Sequence, residues 1–171
     1  DKAFPYESPV IAKKIADEAG IKAYVYDPIT ANELNPLARV YGVKGIEYDS
    51  MCHILNTHAM GLALAKKLGK DFNELNLIIA HLGGGTSIGL WEHGHPTDVV
   101  PGDACTFSSE RAGFMRSEKM VQLVEKYGSK ECISWLHGKG GMVSLLGTND
   151  LRDVEKMIAD GNEEALMAEQ A

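Results

Sequence analysis

Residues 77–94 read LIIAHLGGGTSIGLWEHG, with Gly83, Gly84 and Gly85 standing between two apolar runs. The residues directly after those glycines decide the fold. In TSIGLWE (86–92), Ile88 and Leu90 fall to one side and Ser87, Gly89 and Trp91 to the other. Alternation with a period of two is the signature of a strand. NLIIAHL (76–82) before the glycines is an apolar strand, HGH (93–95) makes a second turn, and PTDVV (96–100) a third strand. Residues 76–100 therefore predict an antiparallel meander.

A strand after the glycines excludes the two commonest phosphate motifs. A P-loop ends in Gly-Lys-Ser/Thr at the start of a helix, and HLGGGTSIG has no lysine. A dinucleotide fingerprint needs a glycine three places after Gly85, where Ile88 stands, and a helix behind it. A third arrangement stays open. Three glycines in a hairpin can take positive φ and turn several backbone N–H groups toward one anion, with Thr86 and Ser87 adding hydroxyls. The plain alternative is a structural hairpin, which typically needs one glycine or Asn-Gly. Ordering three consecutive glycines costs about 0.5–1 kcal/mol each relative to alanine, which asks for a reason. Spacing alone leaves both readings open.

Upstream, SPVIAKKIADEAG (8–20) predicts a helix with Ser8 as cap, Gly20 just past its end, and Val10, Ile11, Ile15 and Ala19 on one face. IKAYVYDP (21–28) predicts a strand closed by Asp27-Pro28, so the two together give an α/β signature. ITANELNPLARVYG (29–42) is a short helical stretch limited by Pro36. DSMCHILNTHAMGLALAKKLGK (49–70) is the longest helical run, with Ser50 as cap and Met51, Ile54, Leu55, Leu62 and Leu68 as its buried stripe. His53 lies near its first turn, somewhat off that stripe. Helices dominate after residue 108: SEKMVQLVEKYG (117–128, cap Ser117, stop Gly128), SKECISWLHG (129–138), the glycine-punctuated KGGMVSLLGTND (139–150), and NDLRDVEKMIADG (149–161).

Composition narrows the function classes. The 171 residues are 44% hydrophobic and 24% charged, as in a folded globular protein. The net charge is −7 and no Lys/Arg cluster forms a nucleic-acid surface. No apolar run is long enough for a membrane span. Cys52, Cys105 and Cys132 are odd in number and lack CxxC spacing, which argues against a disulfide frame or structural zinc and for a reducing cytoplasm. His93 and His95 sit at a turn without a third ligand nearby in sequence, and Cys52 is read as core. The chain opens on Asp1, and NEEALMAEQA (162–171) has a helix start at Asn162 but no stop, so an internal piece of a longer protein is expected.

Several of these segments together resemble one family. NLIIAHLGGGTSIGLWEHGHPTDV (76–99), SSERAG (108–113), GKGGMVSLLGTNDLRDVEKMIADG (138–161), CHILN (52–56) and YESPVIAKKIADEAGIKAYVYDPIT (6–30) resemble, in order, segments of butyrate kinases within the acetate kinase family. That family belongs to the acetate and sugar kinase/Hsc70/actin superfamily. The resemblance implies an α/β fold of RNase H-like lobes, with residues 1–27 ending the first lobe and 28–171 forming most of the second. It implies reversible transfer of the γ-phosphate of ATP, with Mg²⁺, to butyrate or a related short-chain carboxylate. An acetate or propionate kinase, or a non-catalytic nucleotide-binding protein of the same fold, is the alternative.

The resemblance also assigns residues. Arg111 and His53 match the family arginine and histidine that stabilise the transferring phosphoryl group, and Asp27 matches an active-site aspartate. His81, Leu82, Gly83, Gly84, Gly85 and Thr86 match the ATP-phosphate loop. Asp150, Leu151 and Arg152 match a nucleotide-contacting segment. A homodimer or higher oligomer is implied. The family's metal-holding residues fall outside these 171, and half of the ATP site with them, so little kinase activity is expected of this chain alone. VPGDACTFSSE (100–110) looks shorter and less glycine-rich than the butyrate kinase loop. Without the resemblance, a surface pair with Glu110 would be the default for Arg111, and a helix pair with Glu155 that for Arg152.

Overall fold

A computed structural model of the chain describes residues 7–28, 33–48 and 51–171. It is an α/β arrangement in which a three-stranded antiparallel sheet is flanked by helices. The strands are β1 (Asn76–Leu82), β2 (Thr86–Glu92) and β3 (His95–Val100), in the order β1-β2-β3. This is the meander read from the alternation. Leu82 faces Thr86, so residues 83–85 alone form the first turn. The second turn uses left-handed backbone at His93 (φ 51°) and Gly94 (φ 80°), the geometry of a two-residue hairpin.

The helices are α1 (Glu7–Ala19), α2 (Ile54–Leu68), α3 (Ser117–Tyr127), α4 (Ser129–Leu136), α5 (Gly141–Leu146), α6 (Leu151–Ala159) and α7 (Glu163–Gln170). Their ends follow local chemistry. Gly69 closes α2 in the left-handed region at φ 66°. Asp150 caps α6 by accepting from Arg152 N, and Asn162 caps α7 by accepting from Ala165 N at 3.0 Å. Ser117 is the first helical residue of α3 rather than its cap, which is Arg116.

One face of the sheet packs on α2. Cross-strand pairs Leu77–Trp91, Ile79–Gly89 and His81–Ser87 lie on a common face. Trp91, Cys52, Ile54, Ala65, Phe72, Leu75 and Val99 form the core there. A Cβ on Gly89 would sit 3.1 Å from the Trp91 indole nitrogen, so the glycine gives the indole its place. A second, smaller core of Met142, Val154, Ala165 and Ala168 joins α5, α6 and α7.

Several expectations change. The buried stripe of α2 is Ile54, Thr57, Gly61 and Ala65, not the leucines. Leu55, Leu62 and Leu68 are exposed, Leu55 at 58%. The reason is close approach: Phe72 lies so near Gly61 that a Cβ there would meet its ring at 2.5 Å. Small residues let α2 lie against the Phe72–Trp91 layer, and the bulky ones turn away. The helix also starts at Ile54, three residues later than a Ser50 cap predicts, with His53 in the cap position. The expected cap Ser50 lies outside the described residues, as do residues 29–32. Finally, residues 21–26 form no strand and α1 leaves Val10, Ile11 and Ile15 exposed. A strand needs a neighbour for its N–H and C=O groups, and none of the described strands pairs with this segment. The described residues 33–42 hold a 3-10 turn at Pro36–Arg39, capped by Asn35, in place of the expected helical stretch.

Candidate functional site

The site is built at the end of the sheet where β1 turns into β2. His81, the penultimate residue of β1, and Ser87, opposite it on β2, both face α2. The N-terminus of α2 brings His53 and Asn56 over them. The rings of His53 and His81 stack in parallel, 3.8 Å apart and 8° from coplanar. Nδ1 of His53 lies 2.8 Å from the Ser87 hydroxyl, and Nδ1 of His81 lies 2.9 Å from the Asn56 amide. Burial lowers the pKa of His53, and the neighbouring His81 and Arg111 lower it further. His53 therefore favours the neutral form.

The glycine turn is arranged differently from the expectation of positive φ. None of Gly83, Gly84 and Gly85 lies in the left-handed region. Their value is space. A Cβ on Gly84 would sit 3.0 Å from the Glu110 carboxylate, and one on Gly85 would sit 3.6 Å from Arg111. The segment 108–111 folds against the turn and takes up its carbonyls. Ser108 Oγ donates to Gly84 O at 2.7 Å, Ser109 Oγ to Gly83 O at 3.4 Å, and Glu110 N to Gly84 O at 3.2 Å. Gly83 N bonds Gly85 O across the turn at 3.2 Å. The N–H groups of Gly84 and Gly85 donate to no protein group among the described residues.

Segment 108–113 is itself held by other glycines. Met142 N and Val143 N, at the start of α5, donate to Ser108 O and Ser109 O. Gly140 N donates to Glu110 O, and Ala112 N to Trp135 O. A Cβ on Gly141 would lie 1.8 Å from Ser108 O and one on Gly140 2.1 Å from Trp135 O. Only glycine permits this approach, and at Gly141 the φ of 60° adds to the requirement. Arg111 is thereby fixed beside the turn. Its Nη1 donates to Leu136 O at 3.0 Å and to Nδ1 of His137 at 2.8 Å. Its Nε is buried without a partner among the described residues. The pairing with Glu110 does not form: Glu110 accepts from Asn149 Nδ2 at 2.6 Å instead.

His53, Gly85, Thr86, Ser87, Arg111 and His137 line one cavity of about 140 Å³. The structure thus brings together His53, Arg111, His81 at the end of β1 and the glycine turn that follows it. Leu82, the last residue of β1, adjoins the turn through its backbone and is 78% exposed. Asp27 stands nearby, lining an adjoining open pocket with Cys52, His53 and Asn56. Its φ is 42° and its carboxylate meets Nδ1 of His58 at 2.8 Å. Asp150, Leu151 and Arg152 are less engaged. Leu151 is exposed, and Arg152 is 87% exposed and folds back on Asp150, with Nε 2.9 Å from Oδ1. That hydrogen bond lowers the Asp150 pKa to about 2. The pair with Glu155 is replaced by this shorter-range one. Segment 148–152 reaches the turn through the Asn149–Glu110 bond.

Sequence reasoning did not single out Asn56, His58, Ser108 or His137. Asn56 is three places after His53, so helix spacing gave a usable signal for it, whereas His58, five places on, turns to Asp27 and the Phe72–Trp91 layer. His137 is 26 residues from Arg111 and had none.

A Gly85 N–H with no protein partner among the described residues, beside Arg111 on one cavity in a strand–turn–strand with no lysine, fits an anion approaching backbone. Residues 21–171 match the Acetokinase family. The chain belongs to the Acetokinase family. It is 38% identical over 93% of its length to a probable butyrate kinase of Listeria innocua serovar 6a. A probable butyrate kinase of Listeria monocytogenes serovar 1/2a is 37% identical over the same share. The chain spans 46% of each of these relatives. Solved structures agree on the fold of this acetokinase-family chain. An acetate kinase from Porphyromonas gingivalis superposes with a TM-score of 0.73 at 24% identity, over 84% of this chain and 39% of that one. A propionate kinase from Francisella tularensis gives 0.77 at 21%, over 95% and 44%.

Proposed function

We propose that the protein containing this chain is a carboxylate kinase that transfers the γ-phosphate of ATP to butyrate or a related short or branched-chain fatty acid, giving an acyl phosphate and ADP. The observation that carries this reading is the Gly85 N–H, without a protein partner among the described residues, on a cavity shared with Arg111 and His53. Membership of the Acetokinase family and the resemblance to probable butyrate kinases support it.

The chemistry fits those residues. A short carboxylic acid is ionised at neutral pH, so the acceptor needs little help from a base. The difficulty is to bring an anion up to a polyanion, and positioned positive charge and donors answer it. Gly83, Gly84, Gly85 and Thr86 would hold ATP phosphate through backbone, with His81 closing the turn. Arg111, which lines the cavity beside the turn, would meet the transferring phosphoryl group with its guanidinium, and His53 would add a neutral imidazole donor. Asp27, held by His58, would border the acceptor. Asp150, Leu151 and Arg152 would contact nucleotide, which requires Arg152 to leave Asp150. Mg²⁺ would supply charge neutralisation between phosphates when bound. Among the described residues no three His, Cys, Asp or Glu side chains converge to hold it. Residues 1–27 would close one lobe and 28–171 form most of the next, with ATP between lobes, in a homodimer or higher assembly in the cytoplasm.

Acyl phosphate formation by the full-length protein, trapped with hydroxylamine, tests this across acetate, propionate, butyrate and isobutyrate. The highest kcat/KM is expected for a four-carbon acid. A maximum at acetate or propionate moves the assignment within the family. No ATP-dependent product with any of them overturns it.

A further inference from the structure

We infer that Ser87 is a positioning residue that fixes the tautomer of His53, leaving the ring proton on Nε2. This deepens the functional reading above and rests on its placing of His53 at the phosphoryl group. The Ser87 side chain is fully buried on the α2 face of β2. Three groups surround its oxygen: Cys52 Sγ at 3.4 Å, the His53 backbone nitrogen at 3.4 Å, and His53 Nδ1 at 2.8 Å.

A hydroxyl has one proton to give and two lone pairs to receive. The backbone N–H of His53 can only donate, so it takes one lone pair. The Cys52 thiol is a poor acceptor and a weak donor, and donating to Ser87 takes the other. The hydroxyl proton is then left for the best acceptor within reach, the imidazole Nδ1. This is also the shortest of the three contacts. A neutral histidine that accepts at Nδ1 carries its proton on Nε2. His53 has no Nε2 partner among the described residues, and its ring lines the cavity shared with Gly85 and Arg111. The reverse tautomer would put two donors, Nδ1–H and the backbone N–H, on the hydroxyl and leave its own proton only a thiol to meet. It would also present a lone pair, rather than a donor, to an incoming phosphate.

Ser87 thus converts His53 from an ambiguous ring into a fixed N–H donor through its buried hydroxyl. The helix end adds to this. His53 is the cap residue of α2, where the helix dipole disfavours a positive charge.

The test is long-range proton–nitrogen correlation NMR on full-length protein with ¹⁵N-labelled histidine, His53 being assigned by the signals lost in His53→Gln. The wild-type protein at pH 7.5 is expected to show the unprotonated nitrogen at Nδ1. Ser87→Ala is expected to give averaged shifts from mixed tautomers. Its kcat should fall about tenfold, the scale of one lost oriented hydrogen bond, with both KM values unchanged. Ser87→Thr keeps the hydroxyl and should restore both. A wild-type signal with the proton on Nδ1, or an unchanged tautomer in Ser87→Ala, overturns the inference. If Ser87→Ala does not fold, the wild-type spectrum and Ser87→Thr still decide it. Failure of the functional reading looks different: His53→Gln would then keep full turnover, whatever tautomer the spectrum shows.

Discussion

His53 illustrates what a single residue carries. Its depressed pKa comes first from burial, then from His81 and Arg111. The unfolded chain holds the proton more readily, so stability is complete above the ordinary imidazole value of about 6.5 and is lost as the pH falls below it toward the lower folded value. Wild-type protein should therefore lose more thermal stability between pH 7.5 and 5.5 than His53→Gln, read by melting temperature at each pH. An NMR titration should find the His53 midpoint below 6.5, and Arg111→Gln should raise it without restoring it fully, because burial remains. A midpoint above 6.5 would remove the basis for a neutral His53. The histidine itself was visible in the sequence through CHILN. Its stacking on His81 was not, because that contact joins residues 28 positions apart on different elements.

At the scale of elements, glycine decides more by space than by conformation. The alternation in TSIGLWE gave the meander directly, since period two has one structural meaning. The glycine turn was harder. None of its glycines takes positive φ, and it accepts segment 108–111 over its carbonyls. No local pattern encodes a partner 24 residues away. Gly141→Ala should test that packing. With a Cβ 1.8 Å from Ser108 O and φ at 60°, it should cost about 2–3 kcal/mol or more in denaturant unfolding and displace Arg111. An unchanged midpoint would contradict the close approach.

The same reasoning applies inside α2. There the sequence pointed to Leu55, Leu62 and Leu68, because large apolar residues are the usual core markers. Here the small stripe wins because Phe72 and Trp91 already fill the layer. Gly61→Ala gains about 1 kcal/mol of helix propensity. It also drives a methyl to within 2.5 Å of Phe72, an overlap that costs about 1–3 kcal/mol. Net destabilisation is expected in the same unfolding assay, and a clear stabilisation would show that Phe72 moves freely.

For the whole molecule, the strand read at 21–28 shows why local signals have limits. Its residues have strand character, yet Ile21, Tyr24, Val25 and Tyr26 are exposed and no described strand pairs with them. Ile78 on β1 is also 77% exposed. These apolar surfaces belong to a chain that spans 46% of its relatives. The 171-residue chain alone should bind a hydrophobic dye strongly and turn over little ATP with butyrate, whereas the full-length protein should do the reverse. Full-length turnover by the short chain would contradict an active site shared between lobes.

The central claim is that Arg111 meets the transferring phosphoryl group beside the 83–86 turn. Acyl phosphate formation and nucleotide affinity, measured together for Arg111→Ala in the full-length protein, test it most directly. Turnover should fall by about 10³-fold or more, the scale of a lost phosphoryl-stabilising arginine, while ATP affinity stays within a few-fold. Turnover close to wild type in a folded Arg111→Ala variant would contradict the account.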